Sequence, residues 1–185
     1  MRVIAGSAKG HPLKAPKGEA VRPTTDRVKE GIFSSIQQRI PSSIVVDLFA
    51  GSGSLSIECL SRKASHAYLV EWSADHVQCI QENLHKVKRT ENATILQKEV
   101  QAGIQHLHKQ GVKADLVFMD PPYQQQLTES TLELLSRYDI MSKDGIIVAE
   151  HGKSEILPEK TGMFLRFKQK KYGDTMISYY RKEET

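Results

Sequence analysis

From residue 43 onward the sequence repeats one pattern, a short run rich in Val, Ile and Leu followed by a longer stretch whose apolar residues recur every three or four positions. Brief buried strands alternating with amphipathic helices close one kind of core, because parallel strands need a long crossover and the helices supply it. The apolar runs predict strands over 44–49, 67–71, 93–97, 116–119 and 145–150. The stretches between them predict helices over 53–63, 73–88, 100–109 and 128–138. The clearest is 73–88, where Ser73 can cap the backbone ahead of Val77, Ile80, Leu84 and Val87. The tail breaks the rhythm: 164–170 and 175–181, separated by Tyr172-Gly173-Asp174, predict an antiparallel hairpin on the sheet edge. The expected fold is α/β, a mostly parallel sheet with helices on both faces.

Upstream of the repeat, 2–5 and 11–15 predict a short hairpin arm. The run Arg22-Pro23-Thr24-Thr25-Asp26-Arg27 then offers Thr and Asp as helix caps ahead of Val28, Ile32, Ile36 and Ile40, with Pro41 ending the helix. The chain thus divides into an N-terminal extension, 1–41, and a ligand-binding catalytic domain, 42–185.

At 185 residues the chain can bury a full open sheet, and with 39% hydrophobic residues and no apolar run of membrane-spanning length it reads as soluble. The start lacks a charged segment followed by an apolar stretch, so a cytoplasmic location is expected. Cys59 and Cys79 have no CxxC spacing, and His106 and His108 do not share a helical face, so no metal is expected. Charge is unevenly spread. Residues 1–40 carry eight basic and three acidic side chains, 41–159 eleven and sixteen, and 160–185 seven and three. Basic flanks around a mildly acidic middle suit a polyanion held at the periphery and a neutral or cationic small molecule at the centre.

The first core strand runs into Asp47-Leu48-Phe49-Ala50-Gly51-Ser52-Gly53-Ser54-Leu55. Glycines after a buried strand let the backbone turn sharply and approach a ligand where the next helix begins. A dinucleotide fingerprint would need a third glycine where Ser56 stands, which argues against a nicotinamide-dependent dehydrogenase. The next strand ends in Glu71, a carboxylate placed to accept from ribose hydroxyls, followed by Trp72, which can flank an adenine. One strand further, Glu99 stands where an adenine amino group can be read. An acidic residue, Gly-x-Gly and a second acidic residue together look like the S-adenosylmethionine site of class I methyltransferases. Asp47 would then meet the methionine amino group, with Phe49, Ala50, Gly51 and Gly53 along the cofactor's body.

The strand over 116–119 leads directly into Asp120-Pro121-Pro122-Tyr123, the most specific signal in the chain. Consecutive prolines stiffen the backbone and remove two N–H donors, leaving the Asp120 carboxylate and the Pro121 carbonyl as acceptors for one target. An exocyclic amine of a nucleobase is a poor nucleophile because its lone pair is delocalised. Two acceptors on its two hydrogens orient it and favour the pyramidal nitrogen that attacks a methyl group. Tyr123 supplies a ring on which an extruded base can stack.

With these motifs in view, the sequence resembles the RsmD family, bacterial methyltransferases that act on the N2 amine of one guanine in 16S ribosomal RNA. The resemblance covers nearly the whole chain. It rests on Arg2-Val3-Ile4-Ala5-Gly6, on Arg22-Pro23-Thr24-Thr25-Asp26-Arg27-Val28-Lys29-Glu30, on Asp47 to Gly53, and on Asp120 to Tyr123. It implies a seven-stranded class I, Rossmann-like fold with an N-terminal hairpin, S-adenosylmethionine as cofactor, and the small ribosomal subunit or its assembly intermediate as substrate. The sequence departs from the pattern at Glu99, where a smaller polar residue is common, and at His151-Gly152. Arg22 and Arg27 flank Thr24 and Thr25 at a helix start, where amides, hydroxyls and guanidinium groups can meet phosphate, and Arg2, Lys9 and Lys14 extend that surface. The Lys168 to Lys171 cluster is a solvated strand edge that can also touch RNA. No membrane partner is expected, and a monomer is. Two other readings share the motifs: an amino-methyltransferase for adenine N6, cytosine N4 or a protein glutamine, and a non-catalytic RNA-binding module.

Overall fold

The computed structural model describes residues 1–16, 25–122 and 127–183. Its strands are β1 (Ile44–Asp47), β2 (His66–Glu71), β3 (Ala93–Gln97), β4 (Ala114–Met119), β5 (Met141–Gly152), β6 (Lys160–Thr161), β7 (Phe164–Tyr172) and β8 (Thr175–Lys182). The helices are α1 (Asp26–Ile36), α2 (Ser54–Ser61), α3 (Ala74–Lys86), α4 (Val100–Lys109) and α5 (Leu127–Tyr138). All eight strands join one sheet in the order β3-β2-β1-β4-β5-β8-β7-β6. The first five run parallel, and β8, β7 and β6 add antiparallel at the far edge. No helix among the described residues is long and apolar enough to cross a membrane.

Alternation along the strands divides the core between the two faces of the sheet. Val45, Leu69, Phe118, Val148 and Tyr179 pack against α1, α2 and α3, while Val46, Val70, Val117, Ile147 and Tyr180 pack against α4 and α5. Val3, Ala8 and Leu13 of the N-terminal arm and Val28, Ile32, Phe33 and Ile36 of α1 belong to the first of these clusters.

The strand and helix expectations hold with shifted ends, and three differences are informative. The sheet has eight strands, not seven: the additional β6 is two residues long, turns through Gly162 and pairs with Phe164 and Leu165. Two residues carry no alternation to read. Helix α1 stops at Ile36 and tightens into a 3-10 turn over Gln37–Arg39. There the Ser35 hydroxyl donates to the Gly31 carbonyl, and Ile40 still reaches the core from outside the helix. The arm turns back on itself through Val3 N to His11 O, Gly10 N to Val3 O and Leu13 N to Met1 O, but among the described residues its only bridge is Arg2 with Pro12. Pro12 has no N–H with which to extend a ladder.

Candidate functional site

In an open parallel sheet the ligand crevice lies beyond the C-terminal strand ends, where the strand order reverses. Here the reversal falls between β1 and β4, and the two motifs emerge on either side of it. Asp47 pairs in register with Phe118, and Leu48 N donates to Phe118 O at 3.0 Å, so Asp120-Pro121-Pro122 leaves the sheet beside the glycine loop. Asp120 is half-buried, Pro121 buried and Pro122 exposed. Tyr123 lies outside the described residues, as do Arg22 and Thr24.

The loop after β1 needs its glycines for two reasons. Gly51 and Gly53 have φ of 56° and 75°, the left-handed region that costs a residue with a side chain. A Cβ on Gly53 would also stand 3.2 Å from Leu69 Cδ2. Gly53 occupies the cap position of α2, Ile57 N donates to its carbonyl, and its own N–H closes a turn onto Ala50 O. Ala50 N bonds Val70 O, which moors the loop to β2. Phe49 is half-buried and Ala50 buried.

Two carboxylates define the electrostatics of this loop. Asp47 is 2% exposed. Its Oδ2 accepts from the Ser56 hydroxyl at 3.1 Å, while its Oδ1 has no hydrogen-bond partner among the described residues. Burial pushes its pKa up to about 7, the Ser56 bond pulls it down, and the nearby Glu71 charge adds to the rise. Glu71 instead works on the backbone: Oε2 accepts from Gly51 N and Oε1 from Ser73 N, both at 2.9 Å, with His76 Nδ1 at 3.5 Å. Trp72 is 66% exposed beside it. Glu99 is also exposed, and its side chain makes no capping bond although it occupies the cap position of α4.

These residues suit S-adenosylmethionine on a structural test. A buried carboxylate oxygen without a donor is costly unless a ligand supplies one, and an ammonium group is the natural partner. The glycine backbone next to it leaves space that a side chain would occupy.

Sequence reasoning missed the residues that hold these groups. Ser56 entered only as a missing glycine, yet it holds one oxygen of Asp47. Asn83 on α3 donates to both Ser52 O and Lys14 O at 3.0 Å and accepts from Lys14 N at 2.8 Å, tying the arm to the loop. On the opposite flank, fully buried Glu58 accepts from Ile4 N at 2.8 Å, Ala5 N at 2.9 Å and Arg62 Nε at 2.9 Å, with Lys29 Nζ at 3.4 Å. Lys29 Nζ also donates to Arg2 O at 3.1 Å. The helical period marks Glu58 and Lys29 as polar surface; only the arm folded over them makes them interior.

Four of the basic residues expected to meet RNA, Arg2, Lys9, Lys14 and Arg27, are on the surface, whereas Lys29 is buried. Arg2 pairs with Asp26 at 3.4 Å, Lys14 pairs with Glu82, and Lys9 and Arg27 are exposed. Thr25 caps α1 by accepting from Val28 N at 3.4 Å.

Comparison with known proteins places this geometry in a family. The family described as "Conserved hypothetical protein 95" matches residues 1–181. The chain is 38% identical to the putative rRNA methyltransferase YlbH of Bacillus subtilis, over 98% of this chain and 99% of that protein. It is 31% identical to the ribosomal RNA small subunit methyltransferase D of Escherichia coli K12, over 99% and 90%. Among solved structures, the putative methyltransferase yhhF from Escherichia coli superposes with a TM-score of 0.87 at 30% identity, covering 100% of this chain and 99% of that one. Fold, strand-end geometry and kinship along the chain agree, and the protein belongs to the conserved hypothetical protein 95 family, the RsmD methyltransferases.

Proposed function

We propose that the protein transfers a methyl group from S-adenosylmethionine to the exocyclic N2 amine of a guanine in 16S rRNA, on the small ribosomal subunit or an assembly intermediate in the cytoplasm. The observation that carries this reading is the meeting of the Asp47 loop and the Asp120-Pro121-Pro122 turn across the β1/β4 reversal. A donor and an acceptor held there are adjacent.

The cofactor, when bound, supplies an electrophilic methyl group on a sulfonium centre. Asp47 accepts from its amino group, Gly51 and Gly53 let its body lie against backbone, and Glu71 accepts from the ribose. Trp72 flanks the adenine, and Glu99 accepts from its amino group. The Asp120 carboxylate and the Pro121 carbonyl accept the two N–H bonds of the guanine amine and aim its lone pair at the methyl group. Pro122 stiffens the turn, and Tyr123 provides the stacking face. After transfer the alkylated nitrogen is acidic and loses a proton to Asp120 or to water.

The extension, residues 1–41, serves as the RNA-contacting part, with Arg2, Lys9, Lys14, Arg22, Thr24, Thr25 and Arg27 meeting phosphates. Exposed ion pairs such as Arg2 with Asp26 are worth little, so these side chains can exchange a carboxylate for a phosphate at small cost.

Tritiated cofactor incubated with small subunits, naked rRNA and duplex DNA tests the substrate. Label is expected on the small subunit or its rRNA, and nucleoside mass spectrometry is expected to return N2-methylguanosine; label on DNA alone would reject the reading. Asp120→Ala is expected to lower transfer by roughly 1,000-fold or more while keeping cofactor affinity within about threefold. Full activity in that variant would remove the assigned role.

A further inference from the structure

A third carboxylate stands on the far side of Asp120 from the cofactor loop. Glu150 lies near the end of β5, is 5% exposed, and pairs in register with Ile177 of β8. Met119 of β4 pairs with Ala149 as the last pair in register, so Asp120 leaves β4 at the level where β5 continues into Glu150. Val148, two residues before Glu150 within β5, belongs to the same core face as Phe118 and Val45, so the alternation carries Glu150 to that side of the sheet. Asp47 comes to that side as well, two residues beyond Val45.

The order across the edge assigns their partners. The glycine loop and Glu71 follow β1 and β2, which puts the donor's site on one flank of Asp120; β5 is on the other flank, where the acceptor base must enter. Resting on the reading above, we infer that Glu150 is a specificity-determining residue that accepts from guanine N1–H while Asp120 and Pro121 hold the N2 amine. Guanine alone among the bases with an exocyclic amine carries a ring N–H next to that amine. Adenine N1 and cytosine N3 present a lone pair there, which a buried carboxylate repels.

The test uses the full-length protein and small subunits reassembled on rRNA carrying guanine or 2-aminopurine at the mapped position. 2-Aminopurine keeps the 2-amino group but has a lone pair at N1. Wild type is expected to favour guanine by roughly 100-fold or more in kcat/KM, because a site built for a substrate N–H rejects an analogue lacking it. In Glu150→Gln the amide can donate to that lone pair, so the gap is expected to shrink to about threefold, chiefly through faster transfer to 2-aminopurine. Equal wild-type rates on the two bases would overturn the inference without any variant, and so would an undiminished gap in Glu150→Gln with unchanged cofactor affinity. N2-methylguanosine in the wild-type product stands or falls separately, so failure of the substrate reading is recognisable as such.

Discussion

Two buried carboxylates on neighbouring elements show opposite solutions to the same electrostatic problem. Glu58 receives two backbone amides, a guanidinium and an ammonium, and so binds the N-terminal arm to α1 and α2. Asp47, equally buried, receives one hydroxyl and among the described residues keeps one oxygen without a donor. Burial lowers the Lys29 pKa and the Glu58 charge opposes that, as expected of a pair whose charges are compensated inside the protein. At Asp47 the described residues leave one oxygen uncompensated, which is the place the proposed cofactor ammonium would fill. The satisfied charge holds structure, and the unsatisfied one is the basis for the proposed cofactor contact.

The comparison can be broken most decisively at Glu58. Glu58→Ala strands the Lys29 charge and the Ile4 and Ala5 amides, and is expected to cost about 3–5 kcal/mol in denaturant unfolding. Amide exchange at Ile4 and Ala5 is expected to accelerate with it; an unchanged unfolding midpoint would show that the cluster contributes nothing net. Asp47→Asn should behave in the opposite way. Cofactor affinity is expected to fall roughly 10- to 100-fold, or about 1.4–2.7 kcal/mol, with no loss of stability.

The sign of the pH dependence sharpens the contrast. Because the folded Asp47 holds its proton up to about pH 7 against an ordinary 3.8, the folded state retains a proton that the unfolded chain has released between those values. Asp47 therefore lowers stability progressively as pH rises from about 4 to about 7, and Asp47→Asn is expected to flatten that decline. An ammonium bound at the carboxylate displaces the proton, so calorimetry at pH 6 in buffers of different ionisation enthalpy should show close to one proton released on binding cofactor. Asp47→Asn should release none. The smallest effect is expected at Gly53→Ala, about 1–2 kcal/mol, from its left-handed backbone and the Leu69 contact, read as a lowered thermal midpoint.

The alternation of strands and helices, the Thr25 cap, the glycine loop and the proline turn were legible because each is a local pattern whose period or chemistry survives in the linear chain; Ser73 holds the cap position of α3 as expected, but its side chain makes no capping bond. The hairpin over β7 and β8 was legible for the same reason, through its Tyr-Gly-Asp turn. The end of α1 at Ile36 was not, because Ile40 remains apolar and buried whether or not the helix reaches it. Strand β6 was too short to carry a pattern.

Ser56, Asn83, Lys29, Glu58 and Glu150 gave no sign of their positions for a different reason. Ser56 acquires its role from Asp47 on the preceding strand, and the others from partners far along the chain: Lys14 for Asn83, Ile4 and Ala5 for Glu58, the neighbouring β4 for Glu150. By itself the sequence determined the element order, the class of sheet and the two loops proposed to bear the chemistry, since these follow from hydrophobic period and backbone stereochemistry within a few residues. Only the tertiary structure decided which carboxylates are buried, which are satisfied and which stand side by side. Desolvation and pairing are properties of the space between elements, and strand order and register set that space.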